Sequence, residues 1–371
     1  MGQLAFVFPG QGSQKIGMLA EASDAFPIIK EVFAEASEAV AYDMWELIQN
    51  GEQADINLTE KTQPILLTAS VALWRVWQAL EGAQPALMAG HCLGEFSALV
   101  CSGSLDFADA VRLVRSRGQF MQTAVPVGVG AMAAIIGVED ELINRICVEV
   151  AEGQCVQAVN YNSPGQVVIA GHVEGVERAM AELKAVGAKR ALPLPVSAPF
   201  HTDLMQPAGE KLALELEALT LKSPQIPVIH NVHAQTESDP ANIKALLVEQ
   251  ISSPVRWTSC VQFMVEHGIG QTIECGPGKV LSGLNKRIHK PLTCSAIEQG
   301  FSGYCGNGNS PKLTRLRGKC SFYSADRGEW PEANTVQALS SEKYFTNNNG
   351  KSTGNNQQSS KVNFQNNRKN G

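Results

Sequence analysis

The sequence predicts an α/β fold in which a small subdomain is inserted into a larger one. Two observations carry this prediction. Within residues 1–299, short apolar runs alternate with segments of helical apolar spacing, which is typical of a parallel sheet covered by helices on both faces. Residues 128–198 interrupt this alternation with the order β-α-β-β-α-β, which is that of the ferredoxin-like split unit.

The larger subdomain begins with a buried strand. The apolar run LAFVFPG (4–10) is closed by Pro-Gly, a pair that marks a turn. Residues 63–80 have the apolar spacing of a helix. The run ALMAGHC (86–92) predicts a strand that leads directly into a helix over GEFSALVCSGSL (94–105).

The inserted block contains four predicted strands and two predicted helices. The strands are 131–138, 156–162, 166–171 and 189–197, and the helices are 139–152 and 173–187. We therefore predict a large subdomain formed by residues 1–127 and 199–299, a small subdomain formed by residues 128–198, and a ligand site in the cleft between them.

Composition narrows the class of protein. With 44% apolar and 18% charged residues, the 371-residue chain resembles a globular protein. Its nine cysteines form no C-x-x-C pair, which favours neither a zinc site nor a disulfide framework, so we expect a reduced, cytoplasmic compartment. The N-terminus lacks the basic segment and long apolar run of a signal peptide. The charge-free run 118–138 contains one proline and four glycines, so we interpret it as a loop leading into a strand and not as a membrane span.

Charge divides the chain into two parts. Residues 1–299 hold 20 basic and 32 acidic residues, a net charge of −12, which argues against nucleic acid as a partner. From residue 300 onward there are 10 basic and 4 acidic residues, and residues 347–371 contain nine asparagines. The C-terminal tail (300–371) is therefore expected to be of low complexity and disordered. A functional tail and a spurious extension by a shifted reading frame both fit this composition.

One short stretch, GHCLGEFSAL (90–99), has the outline of a nucleophile elbow. Gly90 and Gly94 flank position 92 in the G-x-S-x-G spacing, but position 92 is cysteine instead of serine. Taken alone, Cys92 fits a buried small hydrophobic residue as well as it fits a nucleophile.

Two other segments complete a candidate site. His201, in VSAPFHTDLM (196–205), lies where the chain returns to the large subdomain, and an elbow nucleophile needs such a general base. The turn FPGQGSQ (8–14) follows the first strand and offers backbone N–H groups to an oxyanion. It is not a phosphate-binding loop, because the G-K-[ST] ending is missing.

Seven motifs follow one another in order: FPGQGSQ, TQPILLTASVAL, GHCLGEFSALV, RGQFMQ, NYNSPGQVVIAG, SAPFHTDLM and ECGPGKVL. In sequence and spacing they resemble those of the malonyl-CoA:acyl carrier protein transacylases, the acyltransferases of bacterial type II fatty acid synthesis. The resemblance covers about residues 1–297 and excludes the tail. It implies an α/β-hydrolase-like large subdomain with a ferredoxin-like insertion, and transfer of malonyl from coenzyme A to the phosphopantetheine thiol of an acyl carrier protein.

The resemblance also implies catalytic roles. Position 92 would carry the acyl group. His201 would act first as base and then as acid, and the backbone carbonyl of Gln250 would orient it. Gln11 and Leu93 would supply the N–H groups of the oxyanion hole.

Substrate-binding positions follow in the same way. Arg117 would hold the free malonyl carboxylate in a bidentate pair, although without the matched motif it reads as a solvated helix residue. The remaining implied positions are Gln63, His91, Asn162 and Phe200, the last matching a bulky residue of malonyl-specific acyltransferases. We expect no metal and no cofactor beyond the two substrates. The expected partners are acyl carrier protein and a coenzyme A thioester, without nucleic acid or membrane, and the expected state is a monomer.

The cysteine departs from the family, which has serine at position 92. An engineered substitution, a natural variant and a sequence error each need only one nucleotide change. A thiol beside His201 and at a helix N-terminus should have a lowered pKa, and thiolates attack thioesters well. Sulfur is larger than oxygen, however, and a misplacement of about 1 Å costs about a hundredfold in rate. We therefore expect an active but impaired transacylase.

Other functions use the same residues. A thioesterase-like thiol hydrolase would release free malonate without carrier protein. An inactive carrier-binding variant would not be labelled by malonyl-CoA. An acyltransferase of a polyketide pathway would perform the same reaction for a different product.

Overall fold

The computed structural model describes residues 2–196 and 198–298, so the predicted tail (300–371) lies outside the described residues. The strands are β1 (Gln3–Phe8), β2 (Leu87–Gly90), β3 (Gly130–Ile136), β4 (Val156–Ser163), β5 (Gln166–His172), β6 (Arg190–Pro193), β7 (Val228–Ile229), β8 (Ile269–Glu274) and β9 (Thr293–Ala296).

Helices connect and cover these strands. They are α1 (Ala20–Ala25), α2 (Ile28–Val40), α3 (Met44–Asn50), α4 (Gln53–Ile56), α5 (Thr59–Ala79), α6 (Gly94–Cys101), α7 (Phe107–Thr123), α8 (Asp140–Glu149), α9 (Val173–Ala185), α10 (Gln206–Ala218), α11 (Pro240–Ser252), α12 (Trp257–Glu266) and α13 (Val280–Ile288), with a 3₁₀ turn over Asp203–Met205. Within the described residues, no helix combines the length and hydropathy needed to cross a bilayer.

The larger sheet has the order β7-β2-β1-β8-β9, and each neighbouring pair is parallel. Side chains of β1 alternate between two cores. Phe6 and Phe8 pack into one, with residues of α2, α5 and α7, and Ala5 and Val7 into the other, with residues of α12 and α13. Both faces of the sheet are therefore buried, as the run of apolar residues predicts.

The smaller sheet has the order β4-β5-β3-β6 and is antiparallel. When the four strands are numbered 1 to 4 along the insertion and listed from the β6 edge, the order is 4-1-3-2, which is that of a ferredoxin-like unit. One face packs on α8 and α9, and the other carries Met132 and Val168, which belong to the main core. The predicted fold class, an α/β-hydrolase-like large subdomain with a ferredoxin-like insertion, is confirmed, while the exact subdomain boundaries stay a prediction.

The interpretation of residues 118–138 as a loop was wrong at its start, because α7 continues through Gly118 to Thr123. Gly118 does not break the helix; it allows close packing on α5. A Cβ placed on it would lie 2.6 Å from the carbonyl oxygen of Thr59 and 2.8 Å from the Cα of Glu60. The strand predicted over 189–197 is also shorter, since β6 ends at Pro193, and Pro195 has no N–H to continue the ladder.

This packing predicts opposite effects of the same substitution in two helices. Glycine-to-alanine in a helix ordinarily stabilises by about 0.5–1 kcal/mol. Gly118→Ala should instead lower the midpoint of thermal unfolding, since overpacking costs about 1–3 kcal/mol. Gly283→Ala in α13, where nothing lies within 4 Å of the added Cβ, is the matched control and should raise it. Unfolding of Gly118→Ala at or above the temperature of the unsubstituted protein would contradict the tight contact.

Candidate active site

The turn between β2 and α6 holds Cys92 in a left-handed backbone conformation, with φ of 53°. A Cβ placed on Gly90 would lie 1.8 Å from the carbonyl carbon of Gly94, and one placed on Gly94 would lie 2.0 Å from the carbonyl oxygen of Phe8. Both contacts are with backbone atoms that cannot move aside. The two glycines therefore permit the strand, the turn and the helix to pack this closely, which is the physical reason for the Gly-x-Cys-x-Gly spacing.

Cys92 and His201 are brought together from positions 109 residues apart. The Nε2 atom of His201 lies 3.0 Å from the Sγ of Cys92, and its Nδ1 lies 2.8 Å from the backbone carbonyl oxygen of Gln250. A carbonyl oxygen can only accept, so Nδ1 carries a hydrogen and Nε2 faces the sulfur. His201 is buried, and it too has a left-handed backbone, with φ of 65°.

The surroundings of Cys92 make its thiol acidic. Burial by itself raises the pKa, but the charges of His201 and Arg117 and hydrogen bonds from both outweigh it, and the pKa falls from 9.0 to about 6. The Nη2 atom of Arg117 lies 3.6 Å from the sulfur. In contrast, burial raises the pKa of the other cysteines in the described part of the chain, namely Cys101, Cys147, Cys155, Cys260, Cys275 and Cys294.

Arg117 is fully buried, which excludes the alternative that it is a solvated helix residue. Its Nη1 donates to the Oε1 of Gln63 and its Nη2 to the Oε1 of Gln250, both at 2.9 Å. The guanidinium also lies over the ring of Phe96, 5.2 Å from the centroid. Two neutral amide oxygens thus accept from the two Nη atoms, while the buried Nε–H has no acceptor among the described residues.

Two residues with unpaired backbone N–H groups line the same cavity. Gln11 and Leu93 both line the cavity that contains Cys92. Within residues 2–196 and 198–298, neither backbone N–H has a hydrogen-bond acceptor. The N–H of Cys92 itself is engaged, because it donates to the Oδ1 of Asn231 at 2.7 Å.

The cavity has a volume of about 300 Å³. Its walls include the four other predicted substrate-binding residues, Gln63, His91, Asn162 and Phe200. Burial lowers the pKa of His91 to about 4, so this ring is neutral near pH 7. Its Nε2 lies 2.8 Å from the Oδ1 of Asn162. Met132, Ala134 and Val168 of the smaller sheet form an apolar part of the wall.

A buried polar network around Glu95 lies next to the turn and was not predicted from the sequence. Glu95, on α6, is fully buried. Its Oε1 lies 2.7 Å from the Nδ1 of His230, and its Oε2 accepts from the backbone N–H of Asn231 at 2.9 Å and from the Nε2 of Gln250 at 2.8 Å. The partners are 135–155 residues away in sequence, and the local signal is a carboxylate directly before the largely apolar run FSALV (96–100).

No group of three or more His, Cys, Asp or Glu side chains in the described ranges is arranged to hold a metal ion. The residues that line the cavity supply a low-pKa thiol in contact with a histidine, two backbone N–H groups without an acceptor among the described residues, and a buried guanidinium. Such an arrangement can form and break an acyl–sulfur bond and can stabilise the oxyanion that develops between these steps.

Comparisons with known proteins agree with this chemistry. A family model described as an acyl transferase domain matches residues 5–292. The malonyl CoA-acyl carrier protein transacylase of Salmonella typhimurium is 60% identical over 299 residues, which cover 81% of this chain and 97% of that protein. The transacylase of Bacillus subtilis is 47% identical, with 80% of this chain and 94% of that protein covered.

Solved structures give the same result. An acyl carrier protein S-malonyltransferase from Vibrio cholerae superposes with a TM-score of 0.80 at 54% identity, covering 85% of this chain and 99% of that one. A malonyl-transacylase solved in complex with its type II polyketide synthase acyl carrier protein superposes with a TM-score of 0.78 at 56% identity, covering 79% of this chain and 94% of that one.

The acidic thiol predicts how alkylation depends on pH. Iodoacetamide reacts with the thiolate, so labelling of Cys92 should rise through about pH 6 and be level by about pH 8. Peptide mapping after short pulses at each pH measures this. Cys155, whose pKa is raised, is the internal comparison and should stay unlabelled over that range. His201→Ala removes the main charge that lowers the pKa and should move the Cys92 profile to higher pH; an unmoved profile would contradict the assignment.

Proposed function

This chain belongs to the malonyl-CoA:acyl carrier protein transacylases, and from that premise we propose that it moves malonyl from malonyl-CoA to the phosphopantetheine thiol of an acyl carrier protein for fatty acid synthesis. The observation that carries the proposal is the contact of 3.0 Å between the Sγ of Cys92 and the Nε2 of His201, at the floor of a cavity that also contains the guanidinium of Arg117. The acyl group is carried on Cys92 between two half-reactions.

In the first half-reaction, the thiolate of Cys92 attacks the thioester carbonyl carbon of malonyl-CoA, while the thiol proton is held at the Nε2 of His201. The negative charge moves to the carbonyl oxygen, where the N–H groups of Gln11 and Leu93 stabilise it. The bond from carbon to the coenzyme A sulfur then breaks. The leaving thiolate takes the proton from His201, which yields free coenzyme A and malonyl-Cys92.

In the second half-reaction, the thiol of the carrier protein gives its proton to His201 and attacks the malonyl-Cys92 carbonyl. The carbon–sulfur bond to Cys92 breaks, and the thiolate and protonated His201 are restored. The Gln250 carbonyl, 2.8 Å from Nδ1, holds the ring in place throughout. Each half-reaction exchanges one thioester for another, so neither is strongly uphill.

Arg117 selects the acyl group in this proposal. The free carboxylate of malonyl is ionised and binds bidentately to a guanidinium more strongly than an amide oxygen does. It would therefore replace the Oε1 atoms of Gln63 and Gln250, which are the present acceptors. Phe200, which lines the cavity, restricts a branch on the carbon next to the carbonyl and so disfavours methylmalonyl.

The transfer needs no cofactor beyond its two substrates, because thiol, base and oxyanion donors all come from the chain. We place the protein in the cytoplasm as a monomer; the support for a reducing compartment is that the seven cysteines of the described residues are all free thiols.

Intact-mass spectrometry tests the acyl-enzyme directly. Mixing with malonyl-CoA should add one malonyl group, and peptide mapping should find it on Cys92. Neutral hydroxylamine should remove it, because the adduct is a thioester, and iodoacetamide pretreatment should block its formation. Adding a phosphopantetheinylated carrier protein should discharge it onto the carrier.

Two variants serve as controls for this measurement. Cys92→Ser should still accept malonyl and turn over faster, since oxygen restores the shorter bond that the oxyanion site of the family fits, and it should resist iodoacetamide. Cys92→Ala should not be labelled. Labelling at another residue, or its absence in the unsubstituted protein, would refute the proposal, and release of free malonate without carrier would indicate a hydrolase.

Selectivity for the carboxylate gives a second test. Arg117→Ala should abolish the preference for malonyl-CoA over acetyl-CoA in acylation rate, because acetyl has no group that uses the guanidinium. Arg112→Ala is the matched control, since Arg112 is exposed on the same helix and pairs with Asp109; it should leave the preference unchanged. An equal loss for both substrates in Arg117→Ala would argue against the carboxylate role.

A further inference from the structure

We propose that Asn231 is a positioning residue for acyl transfer, which acts by holding the backbone of Cys92. The inference rests on the proposed function, but the hydrogen bonds from which it is argued do not depend on that function. Asn231 is fully buried and lies just after β7. None of the motifs that identify the family includes it.

One carboxamide spans the strained turn. The Oδ1 atom of Asn231 accepts from the backbone N–H of Cys92 at 2.7 Å, and its Nδ2 donates to the backbone carbonyl of Gly90, also at 2.7 Å. The side chain thus bonds to the residue before the turn and to the residue at its apex. A left-handed conformation at a non-glycine residue persists only where the surroundings fix it. At Cys92 these two bonds act together with those that its carbonyl accepts from the Nε2 of Gln250 and the backbone N–H of Glu95.

The direction of the sulfur depends on this conformation. With φ of 53°, Sγ faces the Nε2 of His201 at 3.0 Å. Release of the Cys92 N–H would let the turn relax toward a right-handed conformation and carry Sγ away from the imidazole. The neighbouring N–H of Leu93 would turn with it, so the attack and the oxyanion site would be lost together.

Glu95 anchors Asn231 to the rest of the site. Its Oε2 accepts the backbone N–H of Asn231 and the Nε2 of Gln250. Gln250 in turn orients His201 through its carbonyl and accepts from Arg117 through its side chain. One buried carboxylate therefore sets the position of the nucleophile relative to both the base and the guanidinium.

The test compares two buried asparagines. Asn231→Ala removes the two bonds to the turn. Asn285→Ala is the matched control, because Asn285 is also fully buried and its side chain also makes two hydrogen bonds, with the Nε1 of Trp257 and the Oγ1 of Thr272. For each variant, single-turnover acylation by malonyl-CoA gives the rate and the half-saturating concentration. Alkylation by iodoacetamide gives the pH profile of Cys92, and thermal unfolding gives stability.

Asn231→Ala should lower the acylation rate about 10- to 100-fold, the range that a misplacement of up to about 1 Å produces, with little change in half-saturation. Its alkylation profile should move to higher pH, since Sγ leaves His201. Asn285→Ala should lose stability but keep both kinetic properties. Equal acylation rates and equal alkylation profiles in the two variants would overturn the proposal.

Two further outcomes are separable. If Asn231→Ala does not fold, Asn231→Asp keeps the shape and the acceptor for the Cys92 N–H but puts an oxygen against the Gly90 carbonyl; it should still lower the acylation rate, and an unchanged rate would overturn the proposal. If the unsubstituted protein is not acylated, the proposed function fails, yet the shift of the alkylation profile still decides whether Asn231 positions Cys92.

Discussion

Arg117 and Glu95 are both fully buried, and among the described residues the side chain of Gln250 joins them in place of a direct ion pair. The rest of the site depends on this link. The carboxamide of Gln250 accepts from Arg117 at 2.9 Å and donates to Glu95 at 2.8 Å. An uncompensated buried charge costs several kcal/mol, and these hydrogen bonds offset part of that cost for both groups. A direct pair would saturate the guanidinium with a carboxylate of the protein. The amide bridge satisfies hydrogen bonds of both groups but leaves the guanidinium with neutral acceptors that a substrate carboxylate can displace.

The same guanidinium also acts on Cys92, the proposed nucleophile. Arg117 lies 3.6 Å from the sulfur of Cys92 and is one of the causes of its low pKa. A serine hydroxyl would not ionise near neutral pH, so this second influence on the nucleophile arises only because sulfur stands at position 92. The cysteine therefore changes the resting state of the site, from a neutral hydroxyl that needs a base to an ion that already exists.

Local patterns were enough to predict the β-α-β-β-α-β unit, because short stretches of sequence determine its turns and its apolar periodicity. The elbow and His201 were predictable for the same reason, together with the resemblance of the motifs around them. The local pattern at Gly118 predicted a loop wrongly, because glycine usually interrupts a helix. Here it permits a helix to contact Thr59 closely. The links of Glu95 to His230 and Asn231 could not be predicted, because they join residues more than 130 positions apart and no motif includes His230 or Asn231.

The left-handed backbone at position 92 also filters which mutations the site can accept. A β-branched side chain is strongly disfavoured at positive φ. Threonine would keep a hydroxyl, but its extra methyl group makes it a poor occupant of this turn. Cysteine changes the reacting element and yet keeps an unbranched Cβ. At this position, replacing serine by cysteine therefore strains the backbone less than replacing serine by threonine, although threonine keeps the hydroxyl and adds only one carbon atom.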